Sequence, residues 1–378
     1  MPAGTTGALV ALLGARDEPT DAVEDYCGWL GKALGNRGVA LEIRRVDWPA
    51  QGWRRALAEL DAAAAGWRGR WVLVQYSPLA WSRRSLPRRL PGILRALRRR
   101  GARVAVLFHD AGVTAVRSGA PAWMRLGDRV RRLWQRRLLR LLADGAERTF
   151  CTVAPEIAGW LGAHRATATL LPAGANIPAP EELGLPAARP ENPVPVIAIF
   201  GITGLPAGER ELQTLERALR RAKTAAPRFR VVAFGRGTDQ AAQGLARVAA
   251  ACGVEIDVRG LIAAEEITRA LAAADVQLFL RGGVSSRRGT AAAGLACGLP
   301  IVAFRGPETA PPVTAAGVHL APEGDAEAMG DALSQLLGDA GERARLAERS
   351  RAIYREWFSW ESIAARLLAA LEREPQVR

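Results

Sequence analysis

Apolar positions along the chain fall into two patterns, short continuous runs and longer stretches with helical spacing. GALVALLG (7–14), RWVLVQYS (70–77) and RVAVLFHD (103–110) are too short for helices and too apolar for half-exposed strands. They predict strands covered on both faces. VALEIRRV (39–46) alternates, with Leu41 and Ile43 between polar residues, and also predicts a strand. Residues 20–36 repeat apolar positions at Val23, Tyr26, Leu30 and Leu34, and residues 86–101 at Leu90, Ile93, Leu94 and Leu97, which predicts helices. The same beat restarts at 195, with strands over 195–201, 229–237, 254–260, 276–283 and 299–304. Helices are expected at 208–226, 263–274 and 289–298, followed by helical stretches at 325–356 and 360–373. Strands alternating with helices predict an α/β fold of parallel sheets. The Pro- and Gly-rich stretch 172–195 separates the two series. The expectation is two Rossmann-like, doubly wound domains facing a central cleft. They would span 1–178 and 195–358, with a linker at 179–194 and a terminal helix, 359–378, returning to the first domain. Ligands in such sheets bind at the carboxyl ends of the strands.

Composition narrows the class. The chain has 378 residues, 49% hydrophobic and 24% charged, enough to bury a core in two or three domains. Its four Cys are scattered without a CxxC pair, and its three His are far apart, so neither a disulfide scaffold nor a metal centre is expected. The scattered Cys fit a reducing compartment. No run of 18 apolar residues occurs, and the N-terminal apolar stretch reads as a buried strand, not a signal peptide.

Charge changes the picture more. The net charge is +14, and residues 1–178 carry all of it, with 28 basic and 14 acidic residues. Residues 179–378 balance at 24 of each. Stretch 83–103 holds nine Arg and no acid, and 125–140 holds seven Arg and one Asp. A helix over 86–100 places Leu90, Ile93, Leu94 and Leu97 on one face and Arg88, Arg95, Arg98 and Arg99 around the other. With Trp81, Trp123 and Trp134 nearby, this predicts an anionic membrane surface as partner. No nucleic-acid motif is present, so a nucleic-acid partner is not expected. The chain is expected in the cytoplasm, peripherally associated with the inner face of the plasma membrane.

Candidate chemistry clusters at Gly-rich strand-to-helix junctions: FGITGLPAG (200–208), FGRGTD (234–239), RGLIAAEE (259–266) and RGGVSSRRGT (281–290). Tight turns need Gly, and the helix that follows offers free N–H groups to a phosphate. RGGVSSRRGT combines Gly, Ser and Arg directly before a helix, which suits a diphosphate. GxGxxG is absent after the first strand, GxxxxGK[ST] is absent throughout, and no HExxH pairing supports a metal hydrolase.

The segment ADVQLFLRGGVSSRRGTAAAGLACGLPIVAFRGPET (274–309) resembles the donor-binding core of GT-B glycosyltransferases of the family 4 (group 1) type. TLLPAGANIP (169–178) resembles their interdomain segment, VAVLFHD (104–110) their strand ending in His, and WFSWESIAARLLAALE (357–372) their terminal helix. The resemblance implies a retaining, metal-independent glycosyltransferase with a nucleotide diphosphate sugar as co-substrate, UDP- or GDP-linked, and no other cofactor. The family's Glu pair falls on Ser285 and Ala293, and its basic pair on Ile202 and Gly208. Arg210, Arg281, Arg287 or Arg288 would supply the missing positive charge. The implied donor site comprises Gly201, Ile202, Thr203, Gly204, Gly235, Arg236, Arg281, Gly283, Ser285, Ser286, Arg287, Gly289 and Thr290. In it the Ser hydroxyls and the Gly289 and Thr290 N–H groups hold the β-phosphate, and Arg287 is the counter-charge. His109 would bond the donor sugar, with Asp110 as base or orienting group; Asp17 and Glu18 would lie on the acceptor side. The expected acceptor is a lipid-linked or cell-envelope saccharide. Two alternatives stay open: a soluble natural-product acceptor, or a degenerate glycosyltransferase serving as scaffold or sugar-nucleotide sensor.

Overall fold

The computed structural model describes residues 8–17, 21–113, 119, 121–186, 192–204 and 208–373. The chain divides into two compact units, Met1–Pro172 with Ile363–Arg378, and Ala173–Ser362.

The first unit is built on strands β1 (Leu9–Leu13), β2 (Leu41–Arg45), β3 (Trp71–Tyr76), β4 (Arg103–Phe108), β5 (Arg148–Cys151) and β6 (Thr169–Leu170). Its helices are α1 (Ala22–Gly35), α2 (Trp53–Ala64), α3 (Leu90–Arg99) and α4 (Ala122–Asp144). The six strands pair in the order β2-β1-β3-β4-β5-β6, and every pair is parallel. β1 and β3 are buried along their whole length, as continuous apolar runs between two helix layers must be. β2 stands at the edge and keeps the polar alternation of its sequence. Asp21 starts α1 by accepting from the Val23 and Glu24 N–H groups, 3.0 and 3.2 Å away.

The second unit comprises β7 (Val196–Phe200), α5 (Gly208–Ala225), β8 (Arg230–Phe234), α6 (Ala242–Cys252), β9 (Glu255–Gly260), α7 (Ala264–Ala273), β10 (Val276–Gly283), α8 (Gly289–Ala296), β11 (Ile301–Phe304) and β12 (Val318–Ala321). Helices α9 (Ala326–Gly338) and α10 (Ala340–Ile353) follow, and α11 (Trp360–Glu372) begins here and from Ile363 belongs to the first unit. Its six parallel strands run β12-β11-β10-β7-β8-β9. The order reverses between β7 and β10, and in the first sheet between β1 and β3. Those are the points where loops leave a sheet in opposite directions and open a crevice for a ligand.

Two expectations need correction. The stretch 325–356 is not one helix: Asp339 ends α9 and caps α10, accepting from the Glu342 N–H at 2.8 Å. The second concerns the membrane face assigned to 86–100. Leu90, Ile93, Leu94 and Leu97 of α3 lie in the core of the first unit, as does Trp81. Those side chains are spent on the sheet and are not available to lipid. α4 is the reverse case. Leu138, Leu139, Leu142 and Ala143 are buried, while Trp123, Leu126, Val130, Leu133, Trp134 and Leu141 are exposed. Its apolar residues lie on two faces, so no single stripe marks it as a helix in the sequence. Among the described residues no helix is long and apolar enough to cross a membrane.

Candidate active site

In the second unit the loops after β7, β8 and β10 come together at the β7/β10 switch point. Gly201 N–H donates to Phe234 O at 2.8 Å and Ile202 N–H to Arg236 O at 3.0 Å, which stitches the first two loops side by side. The approach demands Gly: a Cβ on Gly237 would lie 2.0 Å from Ile202 O, and the residue has φ +83°. Thr203 is held by Glu211 in the first turn of α5, which accepts from its N–H at 2.9 Å and from its hydroxyl. Gly204 and Arg236 are exposed, whereas Gly201, Ile202 and Gly235 are buried. Arg281, near the end of β10, reaches the same place, with Nη1 3.6 Å from where a Cβ on Gly201 would stand. Its Nε is buried and has no hydrogen-bond partner.

The β10–α8 loop is closely tied. Gly283 packs on Gly306, Val284 N–H donates to Phe304 O at 3.0 Å, and Thr309 Oγ1 donates to Val284 O at 2.5 Å. Ala173 N–H donates to Ser286 O at 2.9 Å, which joins the stretch after residue 172 to this loop. Farther along, Trp360 Nε1 donates to Ala175 O at 2.7 Å, and its ring occupies the space a Cβ on Gly174 would need. Gly289 and Thr290 open α8, whose N-terminus carries no side-chain cap. Three residues before the N-cap Arg288, whose N–H donates to Ser285 O at 3.0 Å, the Ser285 hydroxyl is buried, 1% exposed, with no hydrogen-bond partner. A buried hydroxyl without a partner carries a desolvation cost that a bound acceptor would remove, and an uncapped helix N-terminus offers N–H groups to the same kind of ligand.

Arg287, expected as the counter-charge to phosphate, also has a partner within the protein. Its Nε donates to Glu308 Oε2 at 2.5 Å. Arg281 is a guanidinium at this site with a buried nitrogen that makes no hydrogen bond. Gln277, which the sequence reading passed over, donates from Nε2 to Thr290 O at 3.0 Å and leaves Oε1 buried without a partner. Ser285 and Ala293, the positions of the family's Glu pair, are both buried. A cavity of about 380 Å³ beside β9, lined by Arg230, Asp257 and Arg269 among others, holds none of these residues.

The first unit has its own polar cluster at the ends of β3 and β4. His109 follows β4, and its N–H donates to Tyr76 O at 2.9 Å. Its ring Nε2 lies 2.7 Å from Gln75 Oε1. Gln75 Nε2 faces Leu73 O at 3.4 Å, so the oxygen points to the imidazole and Nε2 is assigned the proton. Tyr26 meets the ring edge-on at 4.9 Å. Burial pushes the His109 pKa down to about 4, against the raising influence of Asp21 and Asp110. At neutral pH the imidazole is therefore uncharged, with Nδ1 as an acceptor. Asp110 Oδ1 accepts from the Gly112 N–H at 2.9 Å and shapes the loop. Asp17 is exposed, and Glu18 lies outside the described residues. Sequence reasoning missed Gln75, Gln277, Glu211 and Glu308. The two glutamines carried a signal, a lone polar residue in an otherwise apolar strand; the two glutamates did not.

Residues 195–339 match the family model described as glycosyl transferases group 1. No curated protein matches the chain. Among solved structures, HepE of Anabaena in complex with UDP is similar at TM-score 0.64 and 14% identity, covering 97% of this chain and 99% of that one. A glycosyltransferase from Rickettsia africae is similar at TM-score 0.66 and 13% identity, covering 97% and 100%. A trehalose-6-phosphate protein of E. coli bound with UDP-2-fluoro glucose gives TM-score 0.63 and 12% identity, covering 98% and 100%. At these identities the likeness is one of fold.

Proposed function

We propose that this chain, a glycosyltransferase of the group 1 type with the GT-B fold, moves a sugar from a UDP-sugar to a lipid-linked or cell-envelope saccharide. The observation that carries the donor reading is the orphan Ser285 hydroxyl three residues before the N-cap of α8, with the Arg281 nitrogen that makes no hydrogen bond at the same switch point. The similar structure of HepE holds UDP in one complex and UDP-glucose in another, which supports uridine as the base. In this reading Ser285, Gly289 and Thr290 bind the β-phosphate and Arg281 balances its charge. Charge that develops as the sugar–phosphate bond breaks falls on donors already in place, so the departure needs no metal. The acceptor oxygen joins the face that the phosphate leaves, with retention, and the phosphate takes up the proton. His109, neutral and fixed by Gln75, keeps Nδ1 as an acceptor in the first unit. A binding-only protein is the second reading, because Ser285 and Ala293 stand where the family carries carboxylates.

Calorimetric titration with UDP, and with GDP as the contrast, tests the donor site. Arg281→Gln and Ser285→Ala should each weaken UDP binding by about tenfold, the scale of a charge-assisted hydrogen bond. Arg287→Gln should weaken it less, since Glu308 already occupies that guanidinium. Unchanged affinity in both Arg281→Gln and Ser285→Ala would move the phosphate elsewhere. Steady UDP binding with no sugar transfer to any saccharide acceptor would favour the binding-only reading.

A further inference from the structure

We infer that α4 lies on an anionic bilayer, with its exposed apolar stripe in the headgroup region and its arginines on the lipid phosphates. At about 100° of rotation per residue, Trp123, Leu126, Val130, Leu133, Trp134 and Leu141 fall in one stripe about 100° wide. Every one of them is exposed, Trp123 at 71%, Leu133 at 68% and Trp134 at 57%. Single exposed apolar residues need no explanation, but a row of six along five turns does. The opposite face, with Leu138, Leu139 and Leu142, is buried in the unit, so the helix is anchored and the stripe points outward. Arg129 and Arg140 flank one side of the stripe, Arg131 the other, and Arg137 stands within it; all are exposed. Of the two acids of α4, Asp128 is buried, and Asp144, exposed at the C-terminal end, lies 2.7 Å from His164 Nε2.

That combination selects its occupant. A second copy of the chain would set the same arginine rows against each other, which opposes a symmetric pair. A nucleic acid would satisfy the arginines and leave Leu126, Val130 and Leu133 without a partner. An anionic bilayer satisfies both: its phosphates take the guanidinium groups, and its interface takes Trp and Leu. Arg137, inside the stripe, can lay its stem along the apolar surface and lift its head to the phosphates. The purpose of this surface, bringing the enzyme to a membrane-borne acceptor, rests on the function proposed above. Vesicle binding itself needs neither donor nor acceptor, so the two readings fail separately.

The test is co-sedimentation of the full chain with vesicles of phosphatidylcholine alone or with phosphatidylglycerol. Binding should require phosphatidylglycerol. It should also fall as salt rises, since the Debye length shrinks from about 10 Å at 0.1 M to about 3 Å at 1 M. The triple change Arg129→Gln, Arg137→Gln and Arg140→Gln should weaken partitioning roughly a hundredfold, about fivefold for each charge. Trp123→Ser with Trp134→Ser should weaken it about tenfold or more at constant charge. Both variants should bind UDP as the native chain does, which reports that they are folded. Equal pelleting with neutral vesicles, or native-like binding by both variants, would overturn the assignment. So would a dimer in sedimentation velocity that both variants dissolve, which would give the stripe to a second copy. Vesicle binding without transfer to a lipid-linked acceptor would leave the assignment standing and count against the acceptor.

Discussion

Helices α3 and α4 read alike in sequence and do opposite things. Both are rich in arginine, both carry leucine at helical spacing, and neither has an acid in its first turn. α3 turns Leu90, Ile93, Leu94 and Leu97 onto the sheet and leaves its charge in water. α4 uses four residues near its C-terminal end for the core and leaves a second apolar stripe outside. Amphipathicity thus says that a helix has an apolar side, not what that side meets. The number of apolar faces is the better guide. A helix with one gives it to its own core, and a second face requires something other than the fold to account for it.

The largest effect that would break this comparison is on stability. Leu94 is fully buried, so Leu94→Ala should cost about 2–5 kcal/mol, the loss of transfer energy plus a cavity. Leu133→Ala on the outer stripe of α4 should stay within about 0.5 kcal/mol, since water already surrounds the side chain. Urea unfolding of the two variants measures both. A costly Leu133→Ala would mean the stripe is covered within the chain.

The fold was legible because buried parallel strands print themselves as apolar runs, as in LVALL of β1 and WVLVQY of β3. Edges were less legible: β6 has two residues and no pattern of its own. At the candidate site the glycine turns were visible, because chain reversal beside a second loop admits little else. What escaped were pairings between distant segments. Glu308 lies 21 positions from Arg287, and no spacing rule announces that their charges meet. Gln75 was visible as a polar interruption of a strand, but its bond to His109, 34 positions on, belongs to the β3–β4 register.

The contrast between groups that are settled and groups left open also separates the two polar clusters. In the first unit His109 is settled, neutral and bonded to Gln75, with its pKa held at about 4. The unfolded chain titrates that imidazole near 6.5. Between the two values the unfolded state binds more protons, so the full stability is present above about pH 6.5 and is lost as the pH falls toward 4. The loss should reach about 1–3 kcal/mol. His109→Gln removes the titrating ring, so its urea midpoint should fall less than the native one between pH 7 and pH 5. Equal falls would show that the ring is not held neutral.

In the second unit Ser285 is the open counterpart, and a neighbour supplies the control. Thr238 is also a fully buried hydroxyl, but it donates to Gly235 O at 2.7 Å. Removing that bond leaves the carbonyl with the longer Thr238 N–H contact at 3.3 Å alone, so Thr238→Ala should cost about 1 kcal/mol without ligand. Ser285 Oγ has no bond to lose, and its burial already carries the desolvation cost. Ser285→Ala should therefore leave the ligand-free protein unchanged or make it more stable by up to about 1 kcal/mol. With saturating UDP the order should invert for Ser285→Ala, because the native hydroxyl then has its acceptor and the variant has none. A thermal melt of the two variants with and without UDP reads all four values. If Ser285→Ala destabilises the ligand-free chain as much as Thr238→Ala does, the hydroxyl has a partner within the protein, and the donor site loses the observation on which it stands.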